Sequence, residues 1–237
     1  MSQHFFSIVV PVHNEEKYLS LTLDALKALV YPQDRFEVII VENGSSDKTY
    51  EIAQRYAGGN TRVIVSQKGV SKAKNAGLDA VKIESDWIVL LDADTIVGKD
   101  FLSDLDTYLG RHASDNFSIG TTTVLPLGKK RLYADAWFAF YNIGHALTKT
   151  SFAIQIMRAQ YRSQVHFDER RTFAEDLKLI EGLLKLGRFF YFRTKSVHTS
   201  TRRFDEVGWF RLFIKWNWQA LVLAKRQEEK SAYSVIR

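Results

Sequence analysis

Trp87-Ile88-Val89-Leu90-Leu91, followed at once by Asp92-Ala93-Asp94, is the stretch that decides how this chain is read. Five apolar residues in a row describe a strand that needs cover on both faces, as the central strands of an α/β sheet have. Carboxylates at the carboxyl end of such a strand stand at the edge where open α/β sheets bind ligands. Oxygen ligands so close together suit a hard divalent cation, and such a cation commonly neutralises a diphosphate. The spacing alone proves nothing. Asp104-Leu105-Asp106 repeats it inside a helical stretch, where it reads as a solvated face.

Upstream of this strand the chain alternates strand and helix. Residues 5–12 are β-rich and end in the loop Pro11-Val12-His13-Asn14-Glu15. Over 16–29, Leu19, Leu23, Leu26 and Leu29 recur at helical spacing. A second strand, 36–41, runs into Glu42-Asn43-Gly44-Ser45-Ser46-Asp47, where Ser45 or Ser46 is expected to cap the next helix. A strand at 62–65, a helix at 71–81 and the strand at 86–91 follow. This alternation implies a doubly wound, mostly parallel sheet flanked by helices.

Downstream, strands are expected at 117–125 and 152–157, with an aromatic-rich helix at 130–147 between them. A helix at 173–186 is stopped by Gly187. Trp209, Leu212, Phe213, Trp216, Ala220 and Leu223 again recur at helical spacing. No linker rich in Pro, Gly or Ser and no internal repeat divides the chain. A single domain over 1–237 is expected: a nucleotide-binding half (1–98), an acceptor and catalytic half (99–204) and a carboxyl-terminal amphipathic helix (205–228).

The 237 residues are 46% hydrophobic and 25% charged, the balance of an ordinary globular protein. There is no cysteine, so disulfides and thiolate metal sites are excluded, and a metal must be held by carboxylates, histidine or water. The net charge of +6 admits nucleic acid, an anionic membrane surface or a phosphorylated substrate as partner. Much of that charge falls late, in Arg170-Arg171, Arg202-Arg203, Arg211, Lys215, Lys225 and Arg226, which favours a local anionic site or a membrane face. No basic-then-apolar leader is visible at the start, and the charge-free stretch 136–148 is too short and polar to span a bilayer. The expected location is the cytoplasm, with peripheral contact at the inner membrane face through residues 209–226 as the alternative to core packing.

Four strand-end loops carry polar clusters: Asn14-Glu15, the stretch from Glu42 to Asp47, the segment from Gly69 to Gly77, and Asp92 to Asp94. Any one could be ordinary turn chemistry. At successive strand ends of a doubly wound sheet, however, they converge on one rim, where three could grip a base and ribose and the fourth a metal-diphosphate. Glu175-Asp176 opens an amphipathic helix; acidic residues there serve the macrodipole, or one acts as general base towards a sugar hydroxyl. His198 precedes Arg202-Arg203, and imidazole beside paired guanidinium groups suits a metal-bound diphosphate.

In order along the chain, Phe6-Ser7-Ile8-Val9-Val10-Pro11-Val12-His13-Asn14-Glu15, Gly44-Ser45-Ser46-Asp47, Ala73-Lys74-Asn75-Ala76-Gly77, Asp92-Ala93-Asp94 and Glu175-Asp176 resemble the motif set of family 2 glycosyltransferases. The resemblance covers roughly residues 5–204 and implies the GT-A fold. It implies that Pro11, Asn14 and Glu15 line the nucleotide pocket, with Glu42 and Asp47 near base and ribose and Lys74 and Asn75 approaching from the third helix. Asp92 would contact ribose or the metal shell, and Asp94 would ligate Mn2+ or Mg2+. Asp176 would be the catalytic base of an inverting transfer, with Glu175 in support. His198 is similar to an additional metal ligand found in part of the family, and Arg202 and Arg203 to its diphosphate-binding arginines. Phe167-Asp168-Glu169 resembles the loop before the Glu-Asp pair. Three departures stand out: Glu42-Asn43 where the family usually has two aspartates, Lys74 where it commonly has arginine, and Ser151-Phe152-Ala153-Ile154-Gln155 in place of a glycine-rich stretch.

The expected function is inverting transfer of a sugar from a UDP- or GDP-linked donor to a hydroxyl acceptor, metal-assisted, with no nucleic acid partner. Two alternatives stand against it. A sugar-phosphate nucleotidyltransferase needs a Gly-rich basic loop after the first strand, where this chain has Pro11 to Glu15. The other is a non-catalytic basic domain binding membrane or nucleic acid; against nucleic acid, the pattern lacks interleaved arginine and aromatic residues on one sheet face.

Overall fold

A computed structural model describes residues 3–128, 131–169, 175–209 and 211. The elements in chain order are β1 (Phe6–Val12), α1 (Leu19–Lys27), β2 (Phe36–Glu42), α2 (Thr49–Arg55), β3 (Thr61–Val65), α3 (Val70–Ala80), β4 (Trp87–Leu91), β5 (Thr95–Val97), α4 (Phe101–Arg111) and β6 (Phe117–Thr122). Then come β7 (Leu125–Leu127), α5 (Leu132–Thr148), β8 (Ile154–Arg158), α6 (Glu175–Leu184), β9 (Arg188–Phe192), β10 (Val197–Ser200) and α7 (Arg202–Val207). The chain forms two compact units, residues 1–199 and 200–237. In the second, α7 is held by Thr201 Oγ1 donating to Asp205 (2.8 Å), and Trp209 stacks on Phe204. The helix expected at 205–228 lies almost wholly outside the described residues. No helix among the described residues is long and apolar enough to cross a membrane.

The central sheet has seven strands in the order β3-β2-β1-β4-β8-β6-β9. β1, β2 and β4 are buried almost throughout, so both faces are covered as the apolar runs require. β8 alone runs antiparallel to its neighbours β4 and β6, giving the mostly parallel sheet expected, with one reversal. That reversal has a consequence for position: the amino end of β8 meets the carboxyl ends of β1 and β4 at one rim.

On one face, Val9, Ile39, Val41, Ile88, Leu90 and Met157 form a continuous core with Ala73 and Leu78 of α3 and Leu179, Ile180 and Leu183 of α6. Gly77 lets α3 lie close on this face, because a Cβ there would overlap Val9 Cγ1. A second sheet, β5-β10-β7, was not anticipated. The single strand expected at 117–125 breaks after Thr122, and the chain re-enters this second sheet as β7.

The second aspartate pair divides. Asp104 is exposed on α4, as expected, whereas Asp106 accepts the His4 N–H (3.0 Å) and so ties down the start of the chain. The expectation of a solvated face holds for the first residue and is corrected for the second.

Candidate functional site

The loops after β1 and β2 are laced together by hydrogen bonds. Asn14 adopts φ 55°, a left-handed conformation that asparagine tolerates. Its N–H donates to Ser45 Oγ (3.1 Å), and its Oδ1 accepts the Ser46 N–H (2.8 Å). The Glu15 N–H donates to Thr49 Oγ1 (2.7 Å) and the Glu16 N–H to Asp47 (3.2 Å). The Ser45 N–H donates to the Glu42 carboxylate.

These bonds correct the cap expected at Ser45 or Ser46. The α2 N-cap is Lys48, without a side-chain cap bond, and Asp47 Oδ1 accepts the Thr49 N–H instead (3.0 Å). Ser45 and Ser46 lie three and two residues ahead of that cap, where they bond instead with Asn14 and Glu42. Burial acts to raise the Glu42 carboxyl, but the Ser45 and Gly44 amides and nearby His13 hold it below its ordinary value. Asp47 is likewise pushed up by burial and brought lower, on balance, by hydrogen bonds from Thr49 and Glu16.

From α3, Lys74 and Asn75 point towards the segments that follow β8. Lys74 is 6% exposed, and its Nζ lies 2.6 Å from Asp176 Oδ1 in the first turn of α6 and 4.8 Å from the Phe167 ring centroid. Asn75 is equally buried. Its Oδ1 accepts the Phe167 N–H (2.8 Å), while its Nδ2 donates to Phe167 O (3.0 Å) and Glu169 Oε1 (3.1 Å). Both polar ends of Asn75 thus clamp the 167–169 segment, whereas the sequence pointed it at a nucleotide. Pro11, Lys74, Asp92, Gln155 and Asp176 line one cleft of about 30 Å³ together with Leu90, Leu91, Ala153 and Ile154.

Asp92-Ala93-Asp94 forms a tight turn closed by Thr95 N–H donating to Asp92 O (3.0 Å), and Thr22 Oγ1 holds Ala93 O (2.7 Å). The turn leads from the central sheet into β5. There Ile96 pairs with His198 and Thr95 with Thr199, whose hydroxyls bond at 2.9 Å on the buried face. Ala93, Thr95 and Val97 are buried and alternate with the less buried Asp94 and Ile96. Asp94 therefore shares a face with Ile96 and, across the ladder, with His198. Burial lowers the His198 pKa, which favours the neutral imidazole that a metal requires.

No three acidic or histidine side chains gather as a metal cage among the described residues. A carboxylate and an imidazole on one face fit Mn2+ or Mg2+ bound chiefly through substrate phosphates and water. Arg202 and Arg203 open α7 in the second unit, where the Arg202 N–H donates to Ser200 Oγ (3.1 Å). Glu175 begins α6 beside Asp176, and its side chain lies outside the described residues. Gln155 was missed as a site residue; its only mark in the sequence is a polar side chain inside the apolar run 152–157.

The sequence profile described as "Glycosyl transferase family 2" matches residues 7–166, two thirds of the chain. The chain belongs to glycosyl transferase family 2. Among curated relatives, this family 2 chain is 26% identical over 210 residues to the poly(ribitol-phosphate) beta-N-acetylglucosaminyltransferase TarS of Staphylococcus aureus. The match covers 85% of this chain but only 36% of that relative's length. Its fold resembles the crystal structure of S. aureus TarS residues 1–349 in complex with UDP-GlcNAc, with TM-score 0.66 and 21% identity over 83% of this chain and 58% of that one. It also resembles the mannosyltransferase PcManGT of Pyrobaculum calidifontis, solved with GDP-Man and Mn2+, with TM-score 0.63 and 16% identity over 84% and 57%. The GT-A fold implied by the motifs is therefore the fold observed.

Proposed function

We propose that this chain transfers a sugar from a nucleoside diphosphate-sugar, UDP- or GDP-linked, to a hydroxyl acceptor with inversion. The observation that carries the reading is the single rim cleft where Pro11, Asp92, Lys74 and Asp176 meet, with Asp176 held at 2.6 Å by Lys74. The donors named for TarS and PcManGT support the donor class, and the poly(ribitol-phosphate) in the name of TarS supports a hydroxyl-bearing acceptor.

In this reading the β1 and β2 loops seat the base and ribose, since their amide-held carboxylates are rigid before any ligand arrives. Asp176 takes the proton of the attacking hydroxyl, and Lys74 aims the carboxylate through its 2.6 Å contact. Asp94 and His198 would hold Mn2+ or Mg2+, which supplies charge neutralisation to the departing diphosphate. Arg202 and Arg203, in the second unit, carry guanidinium forks of the kind that match phosphate oxygens. Family membership favours glycosyl transfer over nucleotidyl transfer, the closest alternative chemistry.

A thermal-shift screen of nucleotide-sugars with and without Mn2+, followed by turnover of the best donor, tests the proposal. Stabilisation by one nucleoside diphosphate-sugar and release of its nucleoside diphosphate are expected. Asp176→Asn should then lower transfer by about a thousandfold, within the range of lost general-base catalysis, while nucleotide binding stays almost intact. Equal loss of binding and transfer would remove Asp176 from the role of base. Release of pyrophosphate would overturn the reaction class.

A further inference from the structure

Gln155 stands out among the residues that line the cleft. It is 4% exposed, between the buried Ile154 and Ile156 of β8. Its Nε2 donates to Ser151 Oγ (2.8 Å). Its Oε1 is buried and has no hydrogen-bond partner among the described residues. Leaving a carboxamide oxygen in that state costs about 1–3 kcal/mol, and of the buried side-chain atoms without a partner among the described residues, this one belongs to a residue that lines the cleft.

Register and reversal aim this group into the site. Gln155 pairs with Leu90, and the Asp92 N–H donates to Ala153 O (3.0 Å), so Gln155 and Asp92 occupy the same sheet face one step apart. The entry to β8 is a γ-turn in which the Ile154 N–H donates to Phe152 O (2.7 Å) and Ala153 takes φ 62°. Together these bonds set Gln155 at a constant distance from Asp92.

We infer that Gln155 reads one hydroxyl of the sugar being transferred, a proposal that rests on the nucleotide-sugar function above. Position along the rim supports it. Glu42 and Asp47 follow β2, Asn14 follows β1, the Asp92–Asp94 turn follows β4, and Gln155 opens β8. Two to three strand spacings, roughly 10–14 Å, separate the base-and-ribose loops after β1 and β2 from Gln155. A donor laid along that line as base, ribose, diphosphate and sugar therefore brings its sugar to β8. The chemistry of the cleft agrees. Asp92, Asp176 and Gln155 Oε1 are acceptors, and the ammonium of Lys74, the charged donor in the lining, is engaged by Asp176, so Gln155 Oε1 suits a hydroxyl that donates. About 30 Å³ is room for one such group.

The test uses the nucleotide-sugar that the wild-type chain accepts, its set of monodeoxy analogues, and the variants Gln155→Ala and Gln155→Met. Both variants should lower kcat/KM for the complete donor by roughly 10–100-fold, with affinity for the free nucleoside diphosphate unchanged. One monodeoxy donor should be used within about twofold by wild type and variants alike, because the partner of Gln155 is missing from it. A penalty that persists across every monodeoxy donor, or a parallel loss of nucleotide affinity, overturns the assignment. Unchanged kinetics with a shifted melting temperature also overturns it and leaves Gln155 a packing residue. If the wild-type chain neither binds nor consumes any nucleotide-sugar, the underlying function fails first; if it does and the variants match it, only the role of Gln155 fails.

Discussion

The loops after β1 and β2 and the segments around β8 and α6 lie along one rim but are held in different ways. On the first side, backbone N–H groups of Asn14 and Glu15 donate to Ser45 and Thr49, residues only 31 and 34 positions away. On the second, side chains reach across the chain: Lys74 to Asp176 over 102 positions, and Asn75 to Phe167 over 92. Backbone amides make a stiff seat that is complete before a ligand arrives, which suits a nucleotide. A carboxylate aimed by a buried ammonium is held through its side chain, which suits a group that must meet and take up a proton.

Among the probes that separate these two sides, and short of removing Asp176 itself, taking away the ammonium should have the largest effect. Lys74→Met is expected to lower kcat about 100-fold, in the range associated with general-base catalysis, with nucleotide affinity by calorimetry changed less than about twofold. A matched fall in affinity would move Lys74 to the nucleotide seat, where the sequence first placed it. Asn75→Ala should come next. It strands the buried Phe167 N–H, at a cost of about 1–3 kcal/mol in chemical denaturation. Nucleotide binding should persist; a tenfold loss would show that Asn75 reaches the ligand.

The mildest probe is acid, and it acts on the stiff side. Glu42 and Asp47 have folded pKa values below their ordinary 4.5 and 3.8. Just below those ordinary values the unfolded chain therefore binds more protons than the folded one. Stability from these two residues is present at neutral pH and is lost as pH falls from about 4.5 downward, by at most about 1.4 kcal/mol per pH unit for each group. Glu42→Gln should flatten that part of the denaturation-versus-pH curve. A curve unchanged by the substitution would mean that the Ser45 and Gly44 amides do not stabilise the loop through this charge.

Much of the fold was legible because its signals are local. The apolar runs at β1, β2 and β4 and the leucine spacing of α1 follow from what each segment must bury. The small sheet was not legible: β5 and β7 are three residues each, too short to show alternation. Nor does composition record strand direction, so nothing in 152–157 announced that β8 runs backwards. In the site, Pro11, Asp92 and Asp176 could be picked out as residue types at strand and helix ends. The use of Asn75 as a clamp, and of Ser45 as a strut rather than a cap, depends on partners that sequence spacing does not reveal.

By itself, the sequence determined the alternation of strands and helices, the absence of thiolate chemistry, and the ordered motifs that place the chain in its family, since each is written in neighbouring residues. Only the tertiary structure decided that Lys74 pairs with Asp176, that Asp94 and His198 share a face, and that Gln155 turns its carboxamide into the cleft. The physical reason is the same in all three cases. Each arises from a sheet register or a helix packing that joins residues far apart in the chain, and hydrogen bonds and ion pairs act over a few ångströms of space whatever the separation in sequence.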